Sequence, residues 1–424
     1  MVGAGAIHAL LLHSAVLGLG YCVHVVLGNL LGPSGYGLYY YVLSWIGIIV
    51  VLCAFGLPNS VVKFVGQYRS QGQDDDLRGL IKWGLRSSAG LSVAGSVLWL
   101  TIILTVVDGP NQTVFLLATI LIPLLTLTRV FRGLLRSFEF ISWTYAPQIT
   151  RHLGILAGCI LLYYGLGAIS SGQAMTITII AVGSGLAISA AKFLMSSDLA
   201  RGPVSRKDKK QWVQVSLPLM LLGGFSLLVN QTDILMIGLF STTADVGVYQ
   251  AASRTANLTG IVLITASVAV GPQIAHAFGA GDTRRLRRIV QAAARWIFWP
   301  SMAIGSVFIL FSDSIVRLFG QGFSAAAPLL VILVVGHLFS AGAGVARELL
   351  SFTGYQKEAA SILTVAVLVN IVGNAIGIYF LGNTGAAIAT ATTFLFLSVV
   401  FVYVSSRKLN IRPDLLSSSK RDER

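Results

Sequence analysis

Long apolar runs separated by short polar breaks make up most of this 424-residue sequence. The runs are about 20 to 30 residues long, and a helix needs about 20 mainly apolar residues to cross the hydrocarbon core of a bilayer. The pattern therefore predicts twelve membrane-spanning helices. Their expected positions are residues 5–30, 36–64, 80–107, 113–137, 142–165, 173–197, 212–240, 246–277, 287–312, 325–352, 358–381 and 385–406.

The composition supports this interpretation. Hydrophobic residues make up 55% of the sequence and charged residues 11%, whereas about a quarter of the residues are charged in soluble domains. We therefore expect an all-α polytopic membrane protein. The sequence has no GxxxxGK[ST] phosphate loop and no HExxH or CxxC motif, so no nucleotide, metal or other cofactor site is predicted.

The basic residues predict the orientation of the chain in the membrane. Of the 30 lysines and arginines, 27 fall in or beside the breaks after the even-numbered spans or in the tail. Basic residues collect in short cytoplasmic loops, so both termini are expected on the cytoplasmic side of the cell (plasma or inner) membrane. The net charge of +14 then follows from topology and from contact with anionic membrane lipids. It does not require nucleic-acid binding.

A short loop occurs twice in the sequence, about half the chain apart. LGPSGYGLYY at residues 31–40 matches STTADVGVYQ at 241–250 at an offset of 210, and RGLLRSFEF at 132–140 matches RELLSFTGY at 347–355. The repeat predicts two six-helix lobes related by an axis along the membrane normal. We place the lobes at residues 1–200 and 212–406, a basic cytoplasmic linker at 201–211 and a basic cytoplasmic tail at 407–424. The duplication makes a monomer sufficient.

We expect the first copy of the loop to form a tight outer turn. Gly and Pro reverse the chain there, and Tyr36 and the three tyrosines at 39–41 are expected to anchor at the membrane interface.

Polar and ionisable residues inside predicted spans are candidates for function, because they are costly in a membrane. The spacing places Asn230 and Asp233 on one helix face, and Gln250, Arg254 and Asn257 on another. Further candidates are Arg151 and Asn374, with Arg132 and Arg136 on one face at the cytoplasmic mouth, beside Arg129.

Each candidate also has a structural interpretation. Asp233 and Arg254 would suit an interhelical ion pair, and Asn374 would suit a hydrogen bond between packed helices. Arg151 has no acidic residue in its own span, which favours an external anion.

The loops LGPSGYGLYY and DILMIGLFSTTADVGVYQAASR (233–254), together with FGLPNSVVKF (55–64) and TGAAIATA (384–391), resemble the polysaccharide synthesis and oligosaccharide flippase family of the multidrug/oligosaccharidyl-lipid/polysaccharide exporter superfamily. The resemblance implies a V-shaped transporter with two lobes. Such a protein moves a lipid-linked sugar to the outer leaflet by alternating access, and ion coupling is also implied.

Phosphate chemistry agrees with the resemblance, because the planar guanidinium pairs well with phosphate oxygens. The hypothesis is that Arg132 and Arg136 receive the pyrophosphate of a polyprenyl-linked oligosaccharide and that Arg151 and Arg254 hold it in the cavity. Four side chains would bind sugar hydroxyls: Asn230, Gln250, Asn257 and Asn374. The glycan assembly machinery is an expected partner.

Two other functions would place different demands on the sequence. A cation-coupled drug antiporter of the same superfamily would use a buried carboxylate, and Asp233 is the only acidic residue well inside a predicted span. Asp233 is therefore also the candidate for a coupling cation. A membrane glycosyl ligase or polymerase, which is an enzyme, is disfavoured because no predicted outer loop is long enough for a sizeable domain.

Overall fold

The computed structural model describes residues 2–196 and 209–414, and its secondary structure there is entirely helical. The chain begins with α1 (Val2–Ala54), α2 (Leu57–Ser70), α3 (Asp74–Val106), α4 (Gln112–Ala118), α5 (Leu121–Ser137), α6 (Ile141–Leu166) and α7 (Ser171–Ser196). After α7 come α8 (Lys209–Phe240), α9 (Thr243–Ala256), α10 (Ile261–Gly279), α11 (Thr283–Leu310), α12 (Ser312–Arg317), α13 (Ala326–Gly342), α14 (Ala346–Phe352), α15 (Gln356–Leu381) and α16 (Asn383–Leu409).

The chain is a multi-pass membrane protein. Within the described residues, nine helical segments are long and apolar enough to cross a membrane, and a tenth results if α13 and α14, bent by 45°, count as one span. The first segment, Leu11–Ser70, has 60 residues, which corresponds to about 90 Å of helix and about three times the thickness of the hydrocarbon core of a bilayer. These segments are compatible with twelve crossings, a count that stays a prediction.

Two compact units divide the chain, Met1–Asn230 and Gln231–Arg424. The boundary between the units lies inside α8. Most of the predicted linker at 201–211, and residues 415–424 of the predicted tail, lie outside the described residues. The predicted lobe limits therefore stay a prediction.

In the first unit, the N-terminal half of α8 packs against α2. The Trp212 indole N–H donates to the Tyr68 hydroxyl at 2.9 Å, and the Ser216 hydroxyl donates to that of Ser60 at 2.8 Å. Gly56, between α1 and α2, has φ 68°, and a Cβ there would overlap the Ser216 carbonyl oxygen. These contacts join α8 to a core that also includes α3, α5 and α7.

The repeated loops end helical segments at matching positions. In the first copy, Gly32 is the single non-helical residue inside α1, with φ 63° and ψ 177°, a conformation essentially limited to glycine. In the second copy, the residue at the offset of 210 is Thr242, which caps α9 in a reciprocal capping box with Asp245. The first copy thus interrupts its helix with a glycine, whereas the second copy begins its helix with a polar cap.

The predicted interfacial position of the loop tyrosines is wrong for two of them. Tyr36 is 0% exposed and Tyr39 is 1% exposed. The Tyr36 hydroxyl is hydrogen-bonded to His24 Nδ1 at 2.8 Å, and the Tyr39 hydroxyl to Thr178 at 2.6 Å. Both rings therefore stabilise the interior of the first unit instead of its lipid surface.

Two apolar cores are formed by described residues of the second unit. One joins α10, α11, α13 and α14, together with Ile411 after the last helix. The other joins α14, α15 and α16. Glycine allows α15 and α16 to touch backbone to backbone, because a Cβ at Gly385 would overlap the carbonyl of Gly377.

Candidate functional site

A small cavity in the first unit brings three arginines together. Its volume is about 270 Å³. The cavity lies where α5 meets α2 and α6, and Gly133 permits this approach, because a Cβ there would lie 2.7 Å from the Pro58 Cα. The lining consists of Pro58, Asn59, Arg129, Arg132, Gly133, Arg136 and Thr144. Since helical residues three, four and seven apart share a face, α5 presents all three guanidinium groups to one space.

Hydrogen bonds orient two of these arginines. Arg132 donates from Nε to the Thr144 carbonyl at 3.0 Å and from Nη2 to Gln148 Oε1 at 2.8 Å. Arg136 donates from Nη2 to the Pro58 carbonyl at 3.1 Å and to Asn59 Oδ1 at 3.0 Å. A guanidinium carries five N–H donors. Each side chain is therefore fixed in place while further donors stay available for a ligand.

The cavity contains positive charge without a matching negative charge. No carboxylate lines it, and none of its arginines takes part in an ion pair described within residues 2–196 and 209–414. In the same part of the chain Arg129 has neither a hydrogen bond nor an ion pair. Clustered, partly buried cations need a counter-charge. Arg129, Arg132 and Arg136 line this one cavity, in agreement with their predicted position on one helix face, and the cavity suits an anion.

Arg151 lies on α6 in the first unit. Its Nη2 donates to His152 Nε2 at 2.9 Å. Tyr39 and Tyr40 are near enough to interact with it electrostatically, and the described residues provide no acidic partner. Arg151 therefore resembles the cavity arginines in lacking a counter-ion.

Asp233 is the centre of a hydrogen-bonded cluster in the second unit. The side chain is 5% exposed. Its Oδ1 accepts from Asn374 Nδ2 at 2.7 Å. Its Oδ2 accepts from the hydroxyls of Thr390 at 2.7 Å and Tyr249 at 2.5 Å. Neutral donors from α9, α15 and α16 thus converge on one carboxylate of α8.

The suggested ion pair between Asp233 and Arg254 is not formed, and no cation pairs with Asp233 among the described residues. The interpretation of Asn374 as an interhelical hydrogen bond is confirmed. Two amide oxygens of this cluster, Asn370 Oδ1 and Asn374 Oδ1, are buried without a partner in the described chain. These two oxygens can therefore accept further hydrogen bonds beside the Asp233 carboxylate.

Helix α9 carries a second group of polar residues. Gln250 is 1% exposed, and both its amide nitrogen and its amide oxygen are buried without a described partner. Arg254, one turn later, is half-buried with an unpartnered Nε. Asn257 is the C-cap of α9. The remaining candidate, Asn230, lies on α8 as the last residue of the first unit and is exposed.

Three contributors to these clusters were not predicted from the sequence as functional residues: Asn59, Tyr249 and Thr390. Tyr249 had a signal, because it repeats Tyr39 at the offset of 210, but the repeat was interpreted as architectural. The other two are common polar residues in ordinary helical sequence. Only their long-range contacts distinguish them.

Comparison with family models gives two matches. A model described as polysaccharide biosynthesis protein matches residues 2–278, and a MatE model matches residues 218–376. A relative from Haloferax volcanii, named probable low-salt glycan biosynthesis flippase Agl15, is 24% identical over 390 residues. This alignment covers 90% of the present chain and 79% of the relative.

Solved structures of two transporters share the fold. An inward-facing multidrug resistance MATE family transporter of the MOP superfamily has a TM-score of 0.78 at 15% identity, over 93% of this chain and 94% of its own. Lipid II flippase MurJ, in an inward closed conformation, has a TM-score of 0.76 at 15% identity, over 94% of this chain and 87% of its own.

Proposed function

The chain belongs to the polysaccharide biosynthesis protein family, and from this premise we propose that it is a flippase for a lipid-linked oligosaccharide. The sequence resemblance to this family is confirmed by the family match. In the proposal, the protein moves its substrate from the cytoplasmic to the outer leaflet of the cell membrane by alternating access, with both termini in the cytoplasm. It acts as a transporter and not as an enzyme, and a monomer is sufficient.

The arginine cavity of the first unit is the observation that carries this proposal. A polyprenyl pyrophosphate sugar has an apolar tail that can stay in lipid and a doubly charged head that cannot cross unaided. Arg132 and Arg136, oriented by Thr144 and Asn59, would receive the pyrophosphate together with Arg129. Bidentate guanidinium bonds to phosphate oxygens are strong and directional.

The remaining polar residues would serve the later steps. Arg151 and Arg254 would hold the pyrophosphate during translocation. Asn230, Gln250 and Asn257 would bind sugar hydroxyls, and the unpartnered amide of Gln250 supports this role. For Asn374, the bond to Asp233 supports a role beside the carboxylate in preference to the sugar. The glycan assembly machinery would supply and receive the substrate.

A coupling cation fits the Asp233 cluster. The carboxylate and the unpartnered oxygens of Asn370 and Asn374 are the oxygen ligands that hard cations prefer. A single carboxylate suits a monovalent ion, and the described residues contain no group of three or more acidic, histidine or cysteine ligands. When bound, the ion would contribute one positive charge to the interior of the second unit.

The test is a flipping assay in liposomes that carry a polyprenyl pyrophosphate oligosaccharide. The assay measures how fast inner-leaflet sugar becomes accessible to an external glycosidase. Replacement of Arg132 or Arg136 by glutamine should slow the rate about tenfold or more, because each change removes charge-assisted hydrogen bonds. Arg86→Gln, on an exposed site of α3, is the matched control. A protein no faster than empty liposomes would contradict the function.

The second candidate function is a cation-coupled antiporter for small molecules. The buried Asp233 cluster and the MatE match over residues 218–376 favour it. Uptake of a fluorescent organic cation under a sodium or proton gradient would support this function if Asp233→Asn abolished uptake and sugar flipping were absent. Flipping that depends on the cavity arginines, without organic cation uptake, would exclude it.

A further inference from the structure

The second unit has a large open cavity that none of the proposed transport steps uses. Its volume is about 760 Å³, and it lies between α13 and α16. Phe339, Leu395 and Val399 contribute apolar walls, and their side chains are 40%, 38% and 58% exposed. Since α16 is a candidate membrane span, these walls offer apolar surface for a hydrocarbon chain.

One end of the cavity is polar, and packing against neighbouring helices fixes its position. Arg412 and Asp414 line it, in the segment after α16. Asn410, with φ 53°, ends the helix, and its carbonyl accepts a hydrogen bond from Arg287 Nη2 at 3.3 Å. Ile411, 3% exposed, packs into the core of α10, α11, α13 and α14. The core therefore fixes the position of the segment that carries Asp414.

Two residues that line this cavity each have a buried polar atom without a partner in the described chain. Asp414 is 9% exposed, and its Oδ1 and the Ser406 Oγ are buried without a hydrogen bond in the described chain. Asp414 Oδ2 lies 3.6 Å from Arg412 Nη2. A buried carboxylate oxygen without a donor is costly, so the two atoms indicate a ligand that supplies N–H or O–H groups.

Positive charge lies near the same end. Arg412 is mostly exposed, and the Arg407 guanidinium stacks 5.6 Å from the ring of Tyr403, another lining residue. The polar end thus combines hydrogen-bond acceptors, the Asp414 carboxylate and the Ser406 hydroxyl, with the cationic side chains of Arg412 and Arg407. A ligand that complements both must carry a cation with hydrogen-bond donors next to an anion.

We propose that this cavity binds a phospholipid with a zwitterionic headgroup, in which a primary ammonium lies next to a phosphate. The ammonium donates to Asp414 Oδ1 and Ser406 Oγ, Arg412 and Arg407 bind the phosphate, and an acyl chain covers the apolar walls. An anionic lipid without an amine would place negative charge beside Asp414, and a polyprenyl phosphate would leave both orphan acceptors unsatisfied. The site is separate from the proposed arginine cavity and does not depend on the flippase function.

Native mass spectrometry of the full chain in detergent tests this proposal. The protein is titrated with phosphatidylethanolamine, phosphatidylcholine and phosphatidylglycerol of identical acyl chains. Phosphatidylethanolamine should bind about tenfold more tightly than phosphatidylcholine, because the quaternary ammonium of phosphatidylcholine has no N–H donor. Asp414→Asn, which keeps the shape of the side chain, should remove most of this preference.

A second pair of variants locates the bound lipid. Val399→Trp places a ring in the cavity and should reduce binding of phosphatidylethanolamine at least fivefold. Val372→Trp, on a site of α15 that is 57% exposed and outside the cavity lining, should leave it unchanged. Equal affinity for the ethanolamine and choline lipids, a preference that survives Asp414→Asn, or equal effects of the two tryptophans would overturn the proposal. So would displacement of phosphatidylethanolamine by equimolar polyprenyl phosphate, which would assign the cavity to the substrate tail.

Discussion

Removal of one hydroxyl from each copy of the repeated loop should destabilise the two units unequally. Tyr39 and Tyr249 occupy corresponding loop positions, and each ring is 1% exposed. Phenylalanine keeps the ring in both cases. The two sites differ in the group that accepts the hydrogen bond. Tyr249 donates to the carboxylate of Asp233. Tyr39 donates to the Thr178 hydroxyl, because Thr178 itself donates to the Ala174 carbonyl at 2.8 Å.

The magnitudes follow from this difference. A hydrogen bond to a charged group contributes about 1.5–3 kcal/mol, and a bond between neutral groups about 0.5–1.5 kcal/mol. Tyr249→Phe should therefore cost about twice as much as Tyr39→Phe. For a unit of this size, about 2–4 °C of Tm corresponds to 1 kcal/mol. We expect a fall of about 3–12 °C for Tyr249→Phe and of about 1–6 °C for Tyr39→Phe.

Thermal unfolding of the purified protein in one detergent, at a fixed scan rate, measures these shifts. A double-mutant cycle with Asp233→Asn then isolates the charge, and Tyr249→Phe should cost less in that background. Equal shifts for the two tyrosine variants, or a cycle with no coupling between Tyr249 and Asp233, would refute the assignment of a charge-assisted bond.

Three further changes are predicted to lower Tm in the same assay. Gly133→Val should cost about 1–3 kcal/mol, because the new Cβ would lie 2.7 Å from the Pro58 Cα, and an unchanged Tm would contradict the close packing of α2 and α5. Thr242→Ala removes the capping box of α9 and should cost about 1 kcal/mol, which Thr242→Ser should restore. Trp212→Phe removes the hydrogen bond to Tyr68 and should cost about 1–3 kcal/mol. An unchanged Tm would show that this bond does not stabilise the packing of α8 against α2.

Hydropathy predicted the class of fold because the energetic cost of unsatisfied polar groups in lipid is large and does not depend on how the helices pack. It did not predict how helices begin and end. The loop around Gly32 was expected to be a turn, yet a single glycine interrupts an otherwise helical α1. The buried positions of Tyr36 and Tyr39 were missed because an aromatic residue near a span end suits either the interface or the interior. The choice depends on distant partners such as Thr178.

The candidate site likewise has one part that the sequence predicted and one part that it did not. Helical spacing was enough to place Arg132 and Arg136 on one face, because both belong to α5. Spacing within one helix cannot show which distant residue reaches a buried carboxylate. Asp233 pairs with Asn374 and Thr390, which follow it by 141 and 157 residues, and the nearer candidate, Arg254, is not among its partners. Packing between helices decides this, and the sequence pattern does not encode it.

The fused repeat has an evolutionary consequence. In a symmetric homodimer, every substitution appears in both protomers, so a buried acid gained by one half is gained by both. A single chain with two copies is free of that constraint. In the register that relates Tyr39 to Tyr249, the counterpart of Asp233 is Val23, which is buried and apolar. The two halves of the chain can thus differ at matched positions, with a carboxylate at Asp233 in one and a hydrocarbon side chain at Val23 in the other.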